Sequence, residues 1–78
     1  MSKRERILSL IREVTGKDLN PDPGESLFES GTLDSFALPD LVTALEGAFG
    51  VKVPDSDLTP RKFDSLERIE DYLAGKGA

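Results

Sequence analysis

An all-α fold is what this sequence predicts: a small bundle of three main helices plus a short fourth, with a long loop between helices one and two. Three observations predict it. Apolar residues recur at helical spacing in three separate segments, each followed by a glycine. The stretch between the first two segments is long, polar and rich in turn formers. No segment alternates apolar and polar residues as a half-buried strand does.

In the first helix Ile7, Leu10, Ile11 and Val14 form one apolar stripe, and Gly16 follows as the residue that ends it. The loop runs from Lys17 to about Asp34. Pro21, Asp22, Pro23 and Gly24 break any regular structure there, while Leu19, Leu27, Phe28 and Leu33 are apolar anchors that would pin it across the bundle. A structured loop of this length usually has a functional reason. In the second helix Leu38, Leu41, Val42, Leu45 and Phe49 line one face, closed by Gly50. The short fourth helix falls between the second and third stripes, with Thr59 as cap and Pro60 at its first position. The last helix carries Leu66, Ile69 and Leu73 with Tyr72 beside them; Asp64 and Glu67 read as its capping box and Gly75 as its end. Together these segments make one domain over residues 1–78.

The composition excludes most catalytic classes. With no Cys and no His, no disulfide framework or Cys-based zinc site can form, and neither Ser-His-Asp nor Cys-His nucleophile can be assembled. The expectation is therefore a protein that is not an enzyme. Met1 to Arg6 lead straight into a helical pattern and no run is long and apolar enough to span a bilayer, so a cytoplasmic, monomeric domain without signal peptide or membrane contact is expected. The net charge of −5 is unevenly placed. Residues 1–17 are basic, residues 18–58 carry Lys52 alone against nine acidic side chains, and residues 59–78 are balanced. An acidic middle argues against nucleic acid and suits basic protein partners.

One tempting pattern fails. Asp18, Asn20, Asp22 and Glu29 stand at the first, third, fifth and twelfth places of an EF-hand loop, but the sharp turn at the sixth falls on Pro23, whose φ is locked negative. No metal site is expected.

Asp34-Ser35 before an apolar helix reads, taken alone, as a helix cap. The run around it says more. Leu27-Phe28-Glu29-Ser30-Gly31-Thr32-Leu33-Asp34-Ser35-Phe36 resembles the segment leading to the modified serine of acyl carrier proteins. Ala44-Leu45-Glu46, Phe49-Gly50, Val53-Pro54-Asp55 and Ile69-Glu70-Asp71-Tyr72-Leu73 match the rest of that family's pattern in order. The resemblance implies a 4′-phosphopantetheine arm attached covalently to Ser35 by a phosphopantetheinyl transferase, with Asp34 serving the transferase's recognition. Cargo, acyl or aminoacyl, would then ride as a thioester, loaded by a ligase and passed to a downstream transferase. Free backbone N–H groups at the helix start would favour the phosphodiester's charge. Partners would read the second helix through Phe36, Leu38, Asp40 and Glu46, with burial the competing role for the two apolar residues. The rival reading is a carrier-like helical adaptor that is never modified and docks partners through its acidic face.

Two departures refine the resemblance. Pro39 stands in the first turns of the second helix and predicts a distorted start, not a broken helix. That helix is also less acidic than in fatty-acid carriers, and Pro60-Arg61-Lys62 is unusual. The Leu-Asp-Ser-Phe form is more similar to stand-alone carriers of amino acids or specialised acyl groups, D-alanyl carriers among them.

Overall fold

A computed structural model describes residues 2–78, and among them there are helices and turns but no strand. Helix α1, Lys3–Thr15, starts where Ser2 Oγ accepts the Glu5 N–H at 3.2 Å. It stops at Gly16, whose φ of 68° returns its N–H to the Arg12 carbonyl, a conformation that favours glycine. Its stripe buries Ile7 and Ile11 completely, with Leu10 and Val14 at the core's margin. Helix α2, Ala37–Phe49, buries Leu38, Leu41, Val42 and Leu45 and ends in the same way at Gly50, φ 65°. Helix α3, Leu66–Gly75, buries Leu66, Ile69 and Leu73. All three stripes meet in one core, where α1 packs against both α2 and α3.

The short fourth helix is a 3₁₀ turn, Pro60–Phe63, with extended Thr59 before it and Pro60 in its first turn. A second 3₁₀ turn, Asp55–Asp57, precedes it. Pro60–Phe63 delivers Phe63, fully buried, into the core beside α3. No periodic pattern marked that residue.

The start of α3 differs from the sequence reading. Ser65, not Asp64, is the cap: its Oγ accepts the Arg68 N–H at 3.2 Å. Asp64 is committed elsewhere, since its Oδ1 accepts the Ser26 hydroxyl at 2.7 Å and its carbonyl accepts the Leu27 N–H at 2.6 Å. The end differs as well. Gly75 is the last helical residue, and the positive-φ glycine is Gly77.

Those Asp64 bonds show how the long loop is held. Leu27 and Leu33 are buried in the core, and the Leu33 N–H reaches back to the Leu27 carbonyl at 2.9 Å. Pro23 accepts the Glu67 N–H at 3.1 Å, and Arg12 Nε donates to the Leu19 carbonyl at 2.9 Å. The loop is therefore fastened to both α1 and α3 before it delivers the chain to α2.

The far end of the bundle is closed by a polar cluster. Asp57 accepts hydrogen bonds from Lys62 Nζ and from the Tyr72 hydroxyl, each at 2.7 Å, and Lys76 stands 3.8 Å away. The Tyr72 ring lies 5.0 Å from Phe63. The Lys62 and Tyr72 hydrogen bonds hold the Asp57 carboxyl below its ordinary value; partial burial opposes them and the two lysine charges add to them. Burial, then the bond to Asp57 and the charges of Asp57 and Glu46, push the Tyr72 phenol from 10.0 to about 12.

A pH dependence follows at both ends of the scale. The Asp57 contribution is complete above its unfolded value, near 3.8, and drains away as pH falls through the lower folded value. Tyr72 contributes fully below 10.0 and is lost as pH rises through about 12. In thermal melts across pH, Asp57→Asn should flatten the acid limb and Tyr72→Phe the alkaline one, each while lowering the plateau between them.

Candidate functional site

The loop's second anchor, Leu33, places Asp34 immediately above the core, and Asp34 organises the start of α2. Its Oδ1 accepts the N–H of Phe36 at 2.9 Å and of Ala37 at 2.8 Å, while its carbonyl accepts from Ala37 at 3.2 Å and Leu38 at 3.1 Å. Asp34 is thus the working cap of this helix, although regular helix begins only at Ala37. The reason for the delay is Pro39. It has no N–H to give to the Ser35 carbonyl one turn back, so residues 35 and 36 form a turn and the helical ladder sets in after them. The distorted first turn expected from the sequence is present.

Ser35 sits on that turn, exposed, between a side chain that fixes the backbone before it and a proline that loosens the ladder after it. Among the described residues its hydroxyl makes no hydrogen bond, whereas Ser26 and Ser30 in the same loop spend theirs on Asp64 and on the Leu27 carbonyl. A nucleophilic oxygen presented in this way is reachable by a macromolecular active site.

One expectation is corrected here. The first-turn N–H groups that were to face a phosphodiester are already taken, those of Phe36 and Ala37 by the Asp34 carboxylate and that of Leu38 by the Asp34 carbonyl. An anion on Ser35 would therefore not have these three N–H groups free to receive it.

The four residues expected to meet partners separate. Phe36 is 88% exposed, the one large apolar side chain of the described residues that stands in solvent. Asp40 is exposed one turn further along α2. Leu38 is 3% exposed and belongs to the core, so it cannot be a contact residue in this conformation. Glu46 lies at the far end of α2, half-buried, with Oε2 accepting the Val53 N–H at 2.9 Å; it closes the turn after the helix.

A cleft of about 290 Å³ lies between the end of α1 and the start of α2, lined by Asp34 and Phe36 on either side of Ser35 in the chain but not by Ser35 itself. Asp34, Phe36, Ala37 and Asp40 line one wall, and Val14, Thr15, Lys17 and Thr32 the other. The α1 side was not visible in the sequence, because only the folding of the 17–36 loop brings Lys17 into the same cleft as Asp34.

Comparison with known proteins places the chain in a family. The family model described as the phosphopantetheine attachment site matches residues 5–73. The D-alanyl carrier protein of Enterococcus faecalis is 38% identical over 70 residues, covering 88% of this chain and 90% of that protein. That of Streptococcus suis is 32% identical over 69 residues, covering 88% and 87%. That of Bacillus velezensis is 30% identical over 74 residues, covering 94% and 95%.

The Asp34 cap carries a testable consequence. Asp34→Ala should lower stability by about 1 kcal/mol, within a range of roughly 0.5–2, whereas Asp34→Asn, which also caps well, should retain most of it. Urea denaturation of the two variants measures the difference.

Proposed function

The chain belongs to the phosphopantetheine-attachment family of acyl carrier proteins, and from that premise we propose that Ser35 bears the arm on which it holds its cargo. The family's cofactor is a covalent 4′-phosphopantetheine, and the family's members are carriers, not catalysts. The observation that carries the assignment to Ser35 is its presentation: an exposed hydroxyl without a hydrogen bond among the described residues, held at the head of α2 by the Asp34 cap.

In the attachment step the Ser35 oxygen attacks the pantetheine-bearing phosphorus of coenzyme A. A new O–P bond forms, the bridging P–O bond breaks, and adenosine 3′,5′-bisphosphate leaves with the electron pair. A phosphopantetheinyl transferase removes the hydroxyl proton and recognises Asp34. Because the chain has no Cys, the thiol of the arm is the only thiol present. That thiol would supply the thioester on which the acyl or aminoacyl group rides between a loading ligase and a downstream transferase.

The cargo we infer is aminoacyl, a D-alanyl group in particular. The three relatives described above are D-alanyl carrier proteins, and the Leu33-Asp34-Ser35-Phe36 segment departs from the fatty-acid form in the same direction. Phe36 and Asp40, both exposed beside Ser35, are the contacts we assign to the loading and receiving enzymes. The working unit is a single domain over residues 1–78, a cytoplasmic monomer without nucleic-acid or membrane partner. No helix of the described residues is long and apolar enough to cross a membrane.

Incubation with coenzyme A, Mg²⁺ and a broad-specificity transferase should add one phosphopantetheine to the intact mass of the wild type and none to Ser35→Ala. An unmodified wild type would leave the adaptor reading in possession.

A further inference from the structure

We propose that the cleft between the end of α1 and the start of α2 seats the proximal part of the arm, with Lys17 as the counter-cation of its phosphodiester. The inference rests on the assignment of Ser35 as the attachment site and adds what happens to the arm once it is there.

The argument begins with the charge left uncompensated. A phosphodiester on Ser35 adds a permanent anion next to the Asp34 carboxylate and one turn from Asp40. Helix starts usually offer backbone N–H groups to such an anion. Here the donors of Phe36, Ala37 and Leu38 are occupied by Asp34, and Pro39 has none. A side-chain cation is needed in their place. Lys17 is the cation in the wall of the cleft that Asp34 and Phe36 also line. Its ammonium donates to the Gly31 carbonyl at 3.0 Å, which holds it on the loop that leads to Ser35 and leaves two of its three N–H donors for another acceptor. It is exposed, so it can swing on its four-carbon stem without disturbing the core.

The second part of the argument is shape. One carbon beyond the phosphate, the arm carries a carbon with two methyl groups, its only branched apolar unit. The apolar lining of the cleft is Val14, Ala37 and Phe36, the last being the chain neighbour of Ser35, and it is on these three that we seat that unit. Val14 and Ala37 are half-buried and Phe36 is 88% exposed, so a dimethyl group laid there covers part of the one large apolar side chain that the described residues leave in water. Asp40 at the rim sets the direction: the anionic end is kept on the Lys17 side, and the neutral amides of the arm continue outward.

Nuclear magnetic resonance on the modified protein tests this, with attachment first verified by intact mass. The dimethyl protons should show contacts to the Val14 methyls and the Phe36 ring. On going from unmodified to modified protein, the Lys17 side-chain ammonium resonance should shift. Lys17→Gln should abolish the dimethyl contacts, and Lys17→Arg should preserve them; the position is exposed and neither change touches the core. Shifts confined to the chain neighbours of Ser35, or contacts that persist in Lys17→Gln, would overturn the role given to the cleft and to Lys17 respectively. No adduct on the wild type would defeat the Ser35 assignment itself, and the mass measurement separates that outcome from the others.

Discussion

The seam between the long loop and the start of α3 is the constraint on which the rest of the molecule depends. Leu27 is fully buried, its N–H is bonded to the Asp64 carbonyl, and Ser26 beside it is bonded to the Asp64 carboxylate. A domain of this size has roughly 4–12 kcal/mol of stability in all, at about 0.05–0.15 kcal/mol per residue. A single fully buried leucine is worth about 2–5 kcal/mol when truncated to alanine. Leu27 and Leu33 are therefore as important to the fold as any helical core residue. Because they sit on the segment that leads to Ser35, the stability of the domain and the placement of the serine rest on the same side chains.

The start of α2 is a compromise between two demands. The chain must turn tightly into a helix, which Asp34 secures by taking two backbone N–H groups on one carboxylate oxygen. Ser35 must also remain reachable. Pro39 serves that second demand by withholding the bond that would fold residue 35 into the regular ladder. The consequence is electrostatic: the donors that most helix starts offer an anion are used up in building this one. With the arm on Ser35 as proposed, the task of receiving its phosphodiester would fall to a side chain across the cleft.

Much of this was legible in the sequence. The three stripes Ile7–Val14, Leu38–Phe49 and Leu66–Leu73 fall on the three helices because a 3.6-residue period is imposed by burial and is independent of what each helix packs against. The glycines after α1 and α2 were readable for an equally local reason, a left-handed residue at a helix end. What escaped was set by distant partners. Asp64 has the chemistry of a cap, but Ser26 and Leu27, far away in the chain, claim it and pass the role to Ser65. Phe63 lies in a stretch of two prolines with no period to announce it, and Asp57 meets Tyr72 only through the turn between them. At the site, Asp34 and Ser35 were legible as an ordered motif. Lys17 was not, since its place in the cleft is a product of the loop's path.

The central claim, that the fold singles out one serine as the attachment point, is tested most directly by locating the arm on the modified chain. Trypsin cuts after Lys17 and next after Lys52, so one peptide, Asp18–Lys52, holds Ser26, Ser30 and Ser35 together. These serines differ in the structure by whether the hydroxyl is already bonded. Fragmentation of that peptide should place the phosphopantetheine on Ser35 alone. An arm on Ser30 or Ser26, or on a serine outside the peptide, would contradict the account.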